Sequence, residues 1–223
     1  MVAGSMDVEL DRLWNVADPA IDELVAWVAA SEGRARIAGP AARGATTLRA
    51  LGVSRRSVLG ALAAETGGLV VDHGWLRHLG GGGGVGRDLA TWNRRGDEPR
   101  LPGALLVADD VLGGFFAINA GGCVGEAGHV CYRDPRSMTW QSLGLRHSEF
   151  VRWSIGGGER FYDGLRWDGW LADVAAVERD QVLSFYPPLW AVGPALPARS
   201  RRPVPVDEAW DLWTDLAGTP SAE

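Results

Sequence analysis

Several groupings of residues in this 223-residue chain have the types and spacing that chemistry requires. Asp72-His73 sets a carboxylate beside an imidazole, the partners of general acid–base work. Asp109-Asp110 is a second pair of carboxyl-bearing neighbours. His129 and Cys131 share one face of a predicted strand, and with Cys123 and a carboxylate they have the donor types of a zinc site. Gly81-x-Gly83-x-x-Gly86 has the spacing of a dinucleotide fingerprint. Arg166-Trp167-Asp168-Gly169-Trp170 is a double-indole turn, a platform for stacking against sugars or peptides.

The elements that must position these groups weaken most of them. Neighbours at a strand end point to opposite faces, so Asp72 and His73 do not cooperate directly. Asp109 and Asp110 fall in a turn between two predicted strands, where Asp caps the backbone and an exposed acidic turn steers a basic partner. The unbroken run Gly80–Gly84 satisfies many glycine patterns, and no βαβ unit with a ribose-binding acid about 20 residues on accompanies it. Cys131 reads as a small core residue and His129 as a hairpin surface residue. No G-x-S-x-G and no Cys–His family signature occurs. The expectation is therefore no catalytic set, no metal and no cofactor. Cys123 and Cys131 lie eight residues apart across a glycine-rich turn, a spacing compatible with pairing and with two free thiols.

The chain itself reads as α+β. The pattern Ile21, Leu24, Val25, Val28 predicts a helix over 19–30 with Asp18 as its cap and Gly33 as its stop. An extended piece over 35–38 and helices over 42–50 and 58–65 follow. Leu69–Val71 begins a strand that continues through Trp75 to Leu79, and Gly80–Gly84 reads as a mobile loop. A short helix over 87–92 leads to the clearest β block: strands at 104–108, 115–119, 129–133 and 138–142, the last two joined by an Asp134-Pro135 turn. Helices are predicted at 148–155, 159–164 and 170–177. The organisation expected is one α+β domain over 1–192 with leading helices, a mixed or antiparallel sheet of about four to six strands and covering helices. A Pro/Arg-rich linker or strap over 193–206 and a short amphipathic helix and tail over 207–223 complete it, with Trp210, Trp213 and Leu216 on one side of that helix. The helix either docks on the domain or offers itself to a partner's groove. The first six residues carry no structural weight in this reading.

Composition bounds the function. All 22 basic residues are Arg, which removes every mechanism that needs a Lys, and 28 acids leave a net charge of −6. A broad basic face for nucleic acid is not expected. No apolar run approaches a membrane span of about 20 residues, and no secretory leader is visible, so the expected location is the cytoplasm. Eleven Trp residues suggest a well-packed core with some half-exposed rings at a contact surface.

Two stretches, Arg56-Ser57-Val58-Leu59-Gly60-Ala61 and Asp72-His73-Gly74-Trp75-Leu76-Arg77, resemble a bacterial family known as domain of unknown function 2625. The resemblance continues through Leu106–Asn119, Ser148-Glu149-Phe150, Phe161–Trp167 and Ser184-Phe185-Tyr186-Pro187. The family implies no activity. More loosely, the order of acidic turn, strand, Asn, glycine turn, hairpin and Ser-Glu-Phe helix start is similar to the SUKH superfamily, α+β proteins many of which bind and neutralise toxins. Three functions follow as expectations. The first is a non-enzymatic protein-binding module, an immunity protein in its sharpest form, with a toxin as partner. Trp75, Asp109, Asp110, Trp140 and Trp167 are its contact residues, and the glycine loop is its flexible rim. The second is a small-ligand binder or enzyme with a deep pocket between Gly82 of that loop and Asp72-His73. The third is a self-associating structural protein.

Overall fold

The computed structural model describes residues 3–218, so the tail expected after the last helix lies outside the described residues. Helix α1 (Ala3–Trp14) occupies ground where no element is predicted. Arg55 fastens it, donating from Nη1 to the Trp14 carbonyl at 2.8 Å while its guanidinium covers the Trp14 ring at 4.9 Å. Helix α2 (Ile21–Ala29) buries Leu24 completely, whereas Val25, predicted for the buried stripe, is exposed. Strand β1 (Ala35–Ile37), α3 (Gly44–Leu51) and α4 (Val58–Glu65) follow. Ser57 caps α4 by accepting from Gly60 N at 3.0 Å, and Val58 to Ala64 are buried throughout.

The predicted strand over 69–79 is two strands. β2 (Leu69–Val71) and β3 (Leu76–His78) are separated by a tight turn in which Asp72, His73 and Gly74 all have positive φ, at 51°, 60° and 104°. Then come α5 (Leu89–Trp92), a small hairpin of β4 (Arg94–Arg95) and β5 (Glu98–Pro99), and the long run β6 (Ala104–Asp110), β7 (Phe115–Asn119), β8 (His129–Arg133) and β9 (Trp140–Arg146). α6 (His147–Gly156), a 3-10 turn at Gly158–Tyr162 where a helix is expected, and α7 (Trp170–Ala175) precede β10 (Gln181–Tyr186). The predicted strap contributes β11 (Ser200–Pro205), which pairs with β10, and leads into α8 (Val206–Gly218).

The main sheet has seven strands in the order β1-β2-β3-β6-β7-β8-β9, and every pairing in it is antiparallel. Its central strands β6 and β7 are buried on both faces, while the edge strand β9 is largely exposed. Phe115 and Phe116 are strand neighbours and so point to opposite sides. Phe115 meets Trp210 of α8 at 4.9 Å, and Phe116 stacks on Phe150 of α6 at 4.8 Å. α6 and its neighbours α2 and α4 therefore cover one face, and α8 with the β10–β11 ribbon covers the other. Trp210 and Trp213 are the buried anchors of α8, while Leu216, expected beside them, is exposed.

The glycine run is the clearest departure from expectation. Gly80, Gly81 and Gly82 are buried, because this segment is wedged between chain segments too close for any side chain. A Cβ on Gly81 would lie 2.3 Å from the Ala63 carbonyl oxygen, and one on Gly84 would lie 2.0 Å from that of Ala38. The carbonyls of Gly81 and Gly82 accept from Arg43 N and Ala42 N at 2.8 and 3.0 Å, ahead of α3. These are the glycines of close packing, and they form neither a mobile loop nor a flexible rim. Gly81→Ala is expected to destabilise the fold by about 2 kcal/mol or more through overpacking. Gly156→Ala, where the new methyl meets nothing within 4 Å, should leave stability unchanged or slightly raised. Urea titration of the two variants beside the parent checks the contrast.

Candidate functional site

Asp109, next to last on β6, lies directly opposite Arg77 on β3, and cross-strand neighbours share a face. The carboxylate is 1% exposed and lies between two guanidiniums, with Arg77 Nε at 2.9 Å on Oδ1 and Arg87 Nη2 at 2.6 Å on Oδ2. Arg77 also donates from Nη1 to the Gln181 and Glu178 carbonyls at 2.6 and 3.3 Å. Arg87 lies over Trp92 at 4.6 Å, and Arg100 covers the same ring at 3.8 Å while pairing with Asp207 of α8 at 2.9 Å. Asp109 is thus the centre of a buried network joining sheet, glycine wedge and C-terminal ribbon. It is not the exposed contact residue expected.

Asp110 faces the other side and is wholly buried. Oδ1 accepts from Leu112 N at 3.0 Å and Gly114 N at 2.8 Å; Oδ2 accepts from Tyr132 OH at 2.8 Å and Tyr162 OH at 3.2 Å. The capping role is the one that its turn position suggests, and its burial removes it from any contact surface. Burial pushes its carboxyl up to about 6, against the opposing pull of the Gly114 and Tyr132 hydrogen bonds. Two histidines are buried on this molecule with the opposite sign. His78, whose Nε2 lies 2.9 Å from Ser154 Oγ, is held down to about 3 by burial and by nearby His147, and burial holds His147 down to about 4.

Trp75 is also interior. Its ring sits among Tyr162, Trp170 and Trp167 at 5.5, 5.3 and 5.9 Å, with the Arg166 guanidinium 5.3 Å above it. Trp167 is buried, donates Nε1 to Asp173 at 2.6 Å and is covered by Arg201 at 4.4 Å. Of the expected contact residues only Trp140, half-buried on edge strand β9, reaches the surface.

The expected ligand site is divided. Asp72 pairs with Arg166 and lines a cavity of about 100 Å³ whose floor is Trp75, Ser154 and Tyr162. His73 is exposed and lines a different concavity of about 220 Å³ with Arg36, Arg77 and Gly84. Gly82 lines neither; it packs toward Asp88, the residue that caps α5 through Ala90 N and Thr91 N. Among the described residues no group of three or more His, Cys, Asp or Glu side chains is placed to hold a metal ion.

What remains exposed is concentrated near the C-terminus. Of eight large apolar residues exposed among those described, four are Tyr186, Val192, Leu212 and Leu216. One of them, Leu212, lines an apolar groove of about 80 Å³ between the β10–β11 ribbon and α8, together with Leu112, Pro135, Val182, Trp190 and Trp213. Trp190 packs against Trp213 at 5.4 Å and forms one wall. α8 carries Asp207, Glu208, Asp211 and Asp215 and no basic residue, and Glu208 itself lines the groove. The sequence offers the helix over 207–216 as docking on the domain or as a segment for a partner's groove. Its buried Trp210 and Trp213 show it docked, while the groove beside it has no signal beyond the Trp and Leu spacing of 210–216.

The model of a family described as "Protein of unknown function DUF2625" matches residues 10–209. An uncharacterised protein of Escherichia coli (strain K12), YbfG, is 36% identical over 178 residues, covering 78% of this chain and 80% of that protein. An uncharacterised protein of Haemophilus influenzae is 40% identical over 141 residues, or 60% of each. No solved structure matches. No described helix is long and apolar enough to cross a membrane.

Two outcomes are expected from the buried charges. Asp109→Ala leaves two guanidiniums without their buried partner and should lower unfolding free energy by about 3–5 kcal/mol, measured by denaturant titration. The histidines make stability fall as pH drops from 6.5 towards about 4, because the unfolded chain takes up protons that the folded one refuses. Asp110 acts oppositely: the fold favours its protonated form, so its contribution is full below 3.8 and lost as pH rises to about 6. Asp110→Asn should therefore steepen the acid loss, read as melting temperature against pH.

Proposed function

This chain belongs to the DUF2625 family, and we propose that it is a non-enzymatic protein-binding module whose contact surface is the groove between the β10–β11 ribbon and α8. The observation that carries the reading is an apolar groove walled by Trp190, Leu212 and Trp213, beside a helix with acids and no bases. Contiguous exposed apolar surface rimmed by charge is the usual mark of an interaction site. The chemistry selects a partner that brings an apolar anchor for the groove and a basic group for Glu208 at its edge. A toxin with a basic surface satisfies this description, and the looser likeness to SUKH immunity proteins favours that version.

The test is affinity capture from the native host by the parent chain and by Leu212→Asp in parallel. Leu212 is 47% exposed, so the substitution should leave the fold intact. A stoichiometric basic partner retained by the parent and lost at least tenfold by the variant is expected. Equal recovery by both moves binding off this face. Recovery of the chain alone makes self-association the function. The Asp72 cavity gives a small-ligand reading one specific foothold, since Trp75 Nε1 is buried there without a hydrogen-bond partner. No capture, together with a melting-temperature rise in small carboxylates, would transfer the function to that cavity.

A further inference from the structure

The loop joining β7 to β8 contains Cys123, one of the chain's two cysteines, and its composition, Gly121-Gly122-Cys123-Val124-Gly125, suggests freedom. The structure shows it pinned by one side chain. Asn119 is 2% exposed and accepts at Oδ1 from Gly121 N at 2.9 Å and Cys123 N at 3.0 Å. Its Nδ2 donates to the Gly125 carbonyl at 2.9 Å. Gly125 in turn lies so close to β9 that a Cβ there would meet the Ser142 side chain at 2.6 Å. The loop is thereby folded back over β8, where Cys131 donates from Sγ at 3.1 Å to the carbonyl of Val124, the residue next to Cys123. Both cysteines are free thiols.

We propose that Cys123 and Cys131 form a reversible disulfide, a modification site that takes low-molecular-weight disulfides such as glutathione disulfide as its oxidant. Access decides the order of steps: Cys123 is half-buried on an exposed loop, and Cys131 is fully buried in the strand behind it. The Cys123 thiolate attacks one sulfur of the small disulfide, breaking its S–S bond, releasing one thiolate and leaving a mixed disulfide on Cys123. Cys131, having lost its proton to solvent, attacks the Cys123 sulfur and releases the second small thiolate. In sum, two protein thiols and one small disulfide become one protein disulfide and two small thiols. Arg133, two residues beyond Cys131 on β8, places its charge near Cys123 and favours the attacking anion, although burial still pushes that thiol up to about 12. Exchange is consequently slow at neutral pH and is best followed in mildly alkaline buffer.

The experiment incubates the reduced full chain with glutathione disulfide, alkylates remaining thiols and weighs the intact protein and its peptides. The expected product is lighter by two hydrogens, has lost both alkylation sites and yields a Cys123–Cys131 cross-linked peptide that dithiothreitol reverses. Cys131→Ser should stop at a glutathione adduct on Cys123, and Cys123→Ser should remain unmodified. The parent chain gives the answer even if either variant fails to fold. Two thiols that stay alkylatable, or a stable glutathione adduct on the parent, would overturn the proposal.

Discussion

A single carboxylate, that of Asp109, sets the arrangement on one whole face of the sheet. It sits between Arg77 and Arg87 with almost no solvent, and Arg77 uses its remaining donor for the carbonyls that lead into β10. Arg87 Nε and Nη1 are buried without a hydrogen-bond partner, so its charge rests on Asp109, and removing that carboxylate leaves it uncompensated. A buried ion pair adds little net stability, but it fixes which segments may meet. Here it determines that the glycine wedge before Arg87 and the ribbon after Glu178 close over the same end of β3 and β6. Two backbone bonds complete the closure, Leu183 N to the Val111 carbonyl at 2.7 Å and Val206 N to the Asp180 carbonyl at 2.8 Å.

The ribbon and α8 are placed by this closure, and the groove between them exists only as its result. Trp210 packs inward on Phe115 and Trp213 lies under Arg133 of β8, so two rings commit the helix to the sheet. Trp190 packs on Trp213 as one wall of the groove, and Leu212 and Leu216 are left outward. Arg95 and Arg100 pair with Asp211 and Asp207 and hold the helix ends to the small β4–β5 hairpin. The residues that first attract attention as acids and indoles are therefore the organisers of the interior. Those left exposed at the groove are ordinary aliphatic side chains beside an acidic helix.

Much of the scaffold was legible, and the losses have physical causes. The helix at α2, the buried run of α4 and the strands over 104–108, 115–119 and 129–133 follow from periodicity and from turn residues such as Asp134-Pro135. The placement of Asp109 and Asp110 was not, because an acid at a strand end reads as solvent-facing unless both faces of the sheet are known to be covered. That knowledge depended on β11, whose Arg- and Pro-rich sequence has no apolar alternation. It pairs through backbone groups, with Pro203 and Pro205 opposite Leu183 and Gln181. Gly80–Gly84 misled for a related reason: composition cannot distinguish glycine chosen for freedom from glycine chosen for contact. At Asp72-His73-Gly74 a strand pattern continues straight through three left-handed residues, a break that only the local sterics of the folded chain reveal.

On the proposed reading, the face built by the Asp109 network, the ribbon and α8 is where the protein meets a partner. Amide hydrogen exchange of the chain, alone and saturated with the captured partner, tests it most directly. The account predicts new protection confined to β10, the Trp190 segment and α8, with the Asp72–Arg77 turn and β9 unchanged. Protection centred on β9 or on the Asp72 cavity, with α8 unaffected, would contradict it.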